Sequence, residues 1–122
     1  MLFFVFLRDR LFYKKQVKLE KEPLFEVLSE RKRVLLNLNE VLFIESKNEV
    51  CTIQLNSDRR IQTRERISQL EERLPEPFMR IHRSYIVNST KLELVSKDGV
   101  VVNGEKLPVS RSYKEKVAVL IK

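Results

Sequence analysis

Phe78-Met-Arg-Ile-His-Arg-Ser-Tyr-Ile-Val-Asn88 reads as two short strands meeting at a bend, and Leu107-Pro-Val-Ser-Arg111 answers it just ahead of a short helical tail. In the first run, apolar Ile81, Tyr85 and Val87 are interrupted by Arg80, His82, Arg83 and Ser84. Four polar donors at one bend cannot all enter a core, because burying unpaired charge costs several kcal/mol. They are expected to face a polyanion, an acidic partner or water. The second run delivers one guanidinium, Arg111, at the mouth of a helix whose positive N-terminus suits a phosphate.

Working outward, strands dominate. Val41-Leu-Phe-Ile44 is an apolar run ending at Glu45-Ser46, the pattern of a buried strand. Val50 to Leu55 alternates, with Cys51, Ile53 and Leu55 inward and Val50, Thr52 and Gln54 outward. Asn56-Ser-Asp58 turns the chain, and Arg59 to Arg64 alternates again through Ile61 and Thr63. Lys97-Asp98-Gly99 and Asn103-Gly104 read as hairpin turns that favour positive φ, with the strand Val100 to Val102 between them. Upstream, Leu92, Leu94 and Ser96 are set against Glu93 and Val95. Two helices interrupt this order. Ser68-Gln-Leu-Glu71 has the form of a capping box for a helix near 68–74, which carries Leu70 and Leu74 on one face and stops at Pro75-Glu-Pro77. Ser112-Tyr-Lys-Glu115 offers the same box for a helix near 112–121, with Tyr113, Val117, Leu120 and Ile121 on its apolar side. The expected fold class is mainly β: short antiparallel strands with one short internal helix and a C-terminal helix.

A chain of 122 residues supports one domain with a modest core. Lys plus Arg is 24 against 17 for Asp plus Glu, giving +7, and the excess is unevenly spread. Residues 78–122 hold nine basic and four acidic side chains, whereas residues 24–77 hold nine and ten. A basic surplus gathered around the two motifs is the footprint of a nucleic-acid binder, and equally that of a solvated basic face. The single cysteine, Cys51, excludes an intramolecular disulfide, is compatible with a reducing cytosol and reads as a core residue. One His and one Cys suggest no metal site, and no glycine-rich phosphate loop is present, since Gly99 and Gly104 both read as turn residues. No cofactor or small-molecule substrate is expected. His82 and Ser84 share a strand face, yet no carboxylate nearby would orient the imidazole, so no catalytic residue is assigned.

Residues 1–23 are of another character. Leu2-Phe-Phe-Val-Phe-Leu7 is apolar, and Arg8 to Glu22 carries six basic and three acidic residues. The apolar run is far short of the roughly 20 residues that a membrane helix needs. A secretory signal also fails, because no basic residue precedes the run and no small-residue cleavage site follows. Two readings stay open: a dimerisation helix with Phe3, Leu7 and Leu11 on one face, or the cytoplasmic end of a membrane helix from a longer protein. The domain proper is then 24–122, placed in the cytoplasm, and membrane-proximal on the second reading.

Arg80-Ile-His82-Arg-Ser84-Tyr-Ile-Val87-Asn88 and Leu107 to Arg111 resemble the R-x-H-x-S-x-x-V-N and L-P-V-S-R segments of LytTR-type domains, the DNA-binding output domains of bacterial response regulators in two-component systems. The resemblance spans roughly residues 24–122, and two separated motifs in the right order make it specific. It implies an elongated β-fold in which loops, with no recognition helix, read the bases of double-stranded DNA as a transcription regulator does. Matched residue by residue, the base-reading positions are Arg83 and Arg111, with a third on Lys47-Asn48-Glu49, where Asn48 is the candidate and the match is poorer. Arginine suits guanine O6 and N7 because its planar fork donates two parallel hydrogen bonds. Lys47, His82, Ser84, Ser112 and Lys114 are the candidate phosphate contacts, while Glu49 is expected to pair with Lys47. The resemblance further implies paired repeats, a homodimer on DNA, and an upstream sensor or membrane partner supplying the input.

Each residue has a plainer role available. His82 could bond a backbone carbonyl, Ser112 could only cap a helix, Asn88 could hold a turn, and Arg59, Arg60, Arg64 and Arg66 could form a solvated face. The contrasting functional class is a β-barrel protein–protein adaptor that uses its basic face. An RNA-binding small barrel ranks behind both, because Phe43 and Phe78 sit in apolar surroundings where single-strand readers expose aromatics.

Overall fold

A computed structural model of the chain describes residues 23–121, so the N-terminal readings lie outside the described residues except at Pro23. Three antiparallel sheets follow one another in sequence. β1 (Leu24–Ser29) and β2 (Lys32–Asn37) form a hairpin. β3 (Val41–Lys47), β4 (Val50–Leu55), β5 (Arg60–Thr63), β6 (Phe78–His82) and β7 (Tyr85–Asn88) build a five-stranded sheet in the order β5-β4-β3-β7-β6. β8 (Leu92–Val95), β9 (Gly99–Val102) and β10 (Glu105–Pro108) make the third sheet, with β9 central. α1 (Ile67–Arg73) joins β5 to β6, and α2 (Lys114–Ala118) follows a 3₁₀ turn at Arg111–Tyr113. The mainly-β expectation holds.

The middle strand, β3, is covered on both sides. Val41 and Ile44 enter one core with Ile53, Leu70 and Ile86, while Leu42 and Phe43 enter a second with Ile81, Val87, Val102 and Val117. Strict alternation would set Val41 and Phe43 on one face. The register shifts between these two residues, and the irregularity swings Phe43 to the side of Leu42. All four are buried, as the continuous apolar run foretells. Each such side chain contributes about 1.5–3 kcal/mol through lost water contact. Asn88, also buried, donates from Nδ2 to Val41 O at 3.0 Å and accepts from Thr90 N–H at 3.1 Å, so it holds the exit of β7 against the start of β3.

Several local expectations are corrected. Gln54 is buried where an outward, exposed side chain was expected, because its amide closes the neighbouring loop: Nε2 donates to Leu55 O and Arg59 O, and Oε1 accepts from Arg60 Nε at 2.8 Å. A register shift between Val101 and Val102 overturns the β8 reading, leaving Leu94 exposed while Leu92 and Val95 pack on the second core. Asn103 (φ 52°) and Gly104 (φ 81°) form the expected hairpin turn. Gly99, by contrast, has no positive φ and opens β9. A Cβ there would meet Leu107 O at 2.9 Å, so glycine is required for close approach of two backbones. α1 starts one residue before the expected box. Gln69, three residues after Arg66, accepts the Arg66 N–H at 3.3 Å, and Ser68 lies inside the first turn. α2 is shorter than expected: Val117 is buried, but Leu120 and Ile121 are 38% and 42% exposed, and Ser112 makes no capping bond.

Candidate nucleic-acid interface

The bend in the first motif is a two-residue turn, Arg83-Ser84, between β6 and β7. Pairing runs Arg80 to Ile86 and then His82 to Tyr85, so Ile81 is an extra residue bulged into the second core, where it is fully buried. A bulge re-aims the side chains that follow it. Here Arg83 is left exposed at the tip.

The sequence expectation that Arg80 faces outward with its neighbours is not met. Its side chain is 11% exposed, and the guanidinium makes three bonds: Nη1 to Glu71 Oε1 at 2.6 Å, Nη2 to Arg83 O at 2.7 Å and Nε to His82 O at 2.8 Å. The burial cost is offset because every acceptor is charged or a carbonyl oriented at the fork. Periodicity gave no hint of this, since the carbonyls that attract the guanidinium are aimed by the bulge and turn.

His82 is half-buried, and its Nδ1 accepts the Ser84 N–H at 3.0 Å, so the backbone partner of this ring atom is an amide and not the carbonyl of the plainer alternative. An imidazole accepting through Nδ1 carries its proton on Nε2, which is then the ring's remaining donor. Tyr85 packs edge-on against this ring at 5.6 Å and donates to Glu45 Oε2 at 3.1 Å. Burial, and secondarily the Glu45 carboxylate, push the Tyr85 phenol above its ordinary value.

Two backbone bonds bring the other loops to this turn. Ser110 N–H donates to Ile81 O at 3.0 Å, which sets Arg111 in the residue next to the docking point. Ser46 N–H donates to Ser84 O at 2.8 Å, and one residue further Lys47 begins the hairpin tip Asn48-Glu49. Asn48 and Glu49 have φ of 53° and 65°, the paired positive values of a tight hairpin turn. Lys47, Asn48 and Glu49 are all exposed, and no Lys47–Glu49 ion pair forms, contrary to expectation. Arg83, Arg111 and Ser112 are exposed, Ser84 is half-buried, and neither Arg83 nor Arg111 has a side-chain partner among the described residues. Lys114 is already engaged, with Nζ 3.1 Å from Asp98 Oδ1 in an exposed pair. The arrangement therefore offers two uncommitted guanidiniums, one lysine and one amide around a braced turn. Among the described residues no group of three His, Cys, Asp or Glu could hold a metal ion, and no helix is long and apolar enough to cross a membrane.

The sequence profile of the LytTr DNA-binding domain matches residues 31–122. Among solved structures, the chain is similar to the LytTr DNA-binding domain of a Bacillus cereus protein described as a methyl-accepting/DNA response regulator. The TM-score is 0.68 at 22% identity, covering 84% of this chain and 98% of the other, a likeness of fold. No curated protein matches the chain.

Proposed function

Since this chain belongs to the LytTR family of DNA-binding domains, we propose that it binds specific double-stranded DNA through the loops at 47–49, 82–84 and 110–112 and serves as a bacterial transcription regulator. The observation that carries the reading is the pair of backbone bonds, Ser110 N–H to Ile81 O and Ser46 N–H to Ser84 O, which draws three loops with exposed donors to one place. Arg83 and Arg111 are the base readers, each able to address a guanine edge through two parallel bonds, and Asn48 has the amide that suits adenine N6 and N7. Lys47, the Nε2–H of His82, Ser84, Ser112 and Lys114 hold phosphates and fix register without reading sequence. The role is one of binding, with no catalytic residue, cofactor or small-molecule substrate assigned. Two copies occupy paired repeats in the cytoplasm, with the input coming from an upstream sensor or membrane partner.

Selection of bound sequences from random duplex DNA, followed by titration of the selected site at several salt concentrations, tests this reading. If roughly five to seven phosphates are neutralised, log K falls against log[salt] with a slope near −5 to −6. Lys114→Ala then lowers the slope by about one and weakens all duplexes alike. Recovery of no preferred sequence, with a slope near zero, would favour the protein adaptor. Sedimentation on single and double sites decides whether two copies assemble.

A further inference from the structure

Four consecutive carbonyls run through the candidate reading turn, and each is held from outside it. Ile81 O accepts from Ser110 N–H, His82 O from Arg80 Nε, Arg83 O from Arg80 Nη2, and Ser84 O from Ser46 N–H. Two of the four belong to one guanidinium, and that guanidinium is itself fastened to α1 through Glu71 at 2.6 Å. The turn has no glycine, and neither of its two residues has positive φ, so its shape is not imposed by a special backbone conformation. It depends on what holds the carbonyls.

We propose that Arg80 is a positioning residue for base recognition: its fork holds the His82 and Arg83 carbonyls against Glu71 of α1 and so aims the Arg83 side chain. This rests on the base-reading role given to Arg83. Arg80 does not itself reach DNA, being 11% exposed and committed at all three nitrogens. Lysine cannot take its place, because an ammonium is a compact point donor that does not bridge two carbonyls and a carboxylate in one plane. The contribution is pre-organisation: a side chain already aimed loses less conformational freedom on binding. By this logic the same arginine that is withheld from DNA decides how well its exposed neighbour reads it.

The test pairs a measurement without DNA with one on DNA, on the full chain. In the free protein, Arg80→Lys should speed amide hydrogen exchange at Ser84 and Ser46 by 10-fold or more while leaving Val101 and Lys106 in the third sheet unchanged. On DNA, Arg80→Lys should weaken the selected duplex about 10-fold and random duplex less than 2-fold, with the salt slope held. In an Arg83→Ala background the same change should cost less than 2-fold, whereas in an Arg111→Ala background it should again cost about 10-fold. A purely structural role would weaken binding equally in both backgrounds, and that outcome overturns the proposal. Unchanged exchange at Ser84 and Ser46 overturns it as well, irrespective of DNA. If exchange quickens but the wild-type chain shows no preferred duplex, the clamp stands and the base-reading role fails, taking the positioning role with it. Should Arg80→Lys not fold, Glu71→Gln keeps an acceptor but loses the charge, and should shift the same readouts in the same direction by about 3-fold.

Discussion

Two hairpin tips lie side by side in the candidate interface, and they are built on opposite principles. The Arg83-Ser84 tip has ordinary backbone angles and is held by side chains and by other segments, with Arg80 beneath it and His82 Nδ1 closing it. The Asn48-Glu49 tip carries its shape in its own backbone, at φ of 53° and 65°, and none of Lys47, Asn48 and Glu49 has a side-chain partner among the described residues. A braced tip can aim one side chain, whereas a self-supporting tip can only present its side chains for adjustment. On the proposed function, this contrast is expected to make sequence discrimination strongest at Arg83, and at Arg111 docked beside it, with Lys47 and Asn48 adding more adaptable contacts.

Binding should respond most strongly. Arg83→Ala and Arg111→Ala should each cost about 1–3 kcal/mol on the selected duplex and little on random DNA. Their thermal midpoints should barely move, since both side chains are exposed. Competition binding with thermal unfolding of the same samples checks both. A large loss of stability in either variant would make that arginine structural and erase the contrast. Next comes Glu49→Gly, which should stabilise the fold by about 0.5–1 kcal/mol, because the αL conformation that strains glutamate costs glycine little. Chemical denaturation measures the gain. DNA specificity should be kept, and a loss comparable to that of Arg83→Ala would show the tip at 48–49 to be a second braced reader.

The smallest effect lies in alkali. The folded chain holds the Tyr85 proton more tightly than the unfolded chain does, so this contribution is full below the ordinary pKa of 10.0 and is lost as pH rises through the higher folded value. Burial pushes the Cys51 thiol above 9.0, which acts with the same sign from a lower pH. Denaturation midpoints should therefore decline above about pH 9, and Tyr85→Phe should flatten the upper part of that decline. An unchanged decline in Tyr85→Phe would show that the Tyr85 phenol contributes nothing to it.

What could be read from the sequence was local. Asn103-Gly104 announced its hairpin, Val41 to Ile44 announced a strand covered on both sides, and Asn88 was rightly suspected of holding backbone. The β1–β2 hairpin was silent because its turn, Glu30-Arg31 at φ of 51° and 69°, uses none of the usual turn residues. Leu94 and Val95 exchanged faces because β8 carries an extra residue, Glu93, against β9, and alternation alone does not show where pairing slips. At the site, the exposure of Arg83 followed from its place at a bend. The inward path of Arg80 did not, because its partners are Glu71 on another element and two carbonyls aimed by the turn itself. Convergence of the three loops rests on hydrogen bonds between residues distant in sequence, and only family resemblance pointed there beforehand.

Gly99 turns that distance into a hazard for genetics. It pairs with Pro108, its neighbour Asp98 accepts the Val109 N–H at 3.1 Å, and the chain reaches Arg111 two residues later. With Leu107 O only 2.9 Å from where a Cβ would stand, the position admits a single amino acid, and any missense change must push the 107–111 segment away from its sheet. In a mutational screen scored by loss of DNA binding, Gly99 alleles should therefore be recovered alongside Arg111 alleles, although the residue they alter is buried and has no side chain to touch a base.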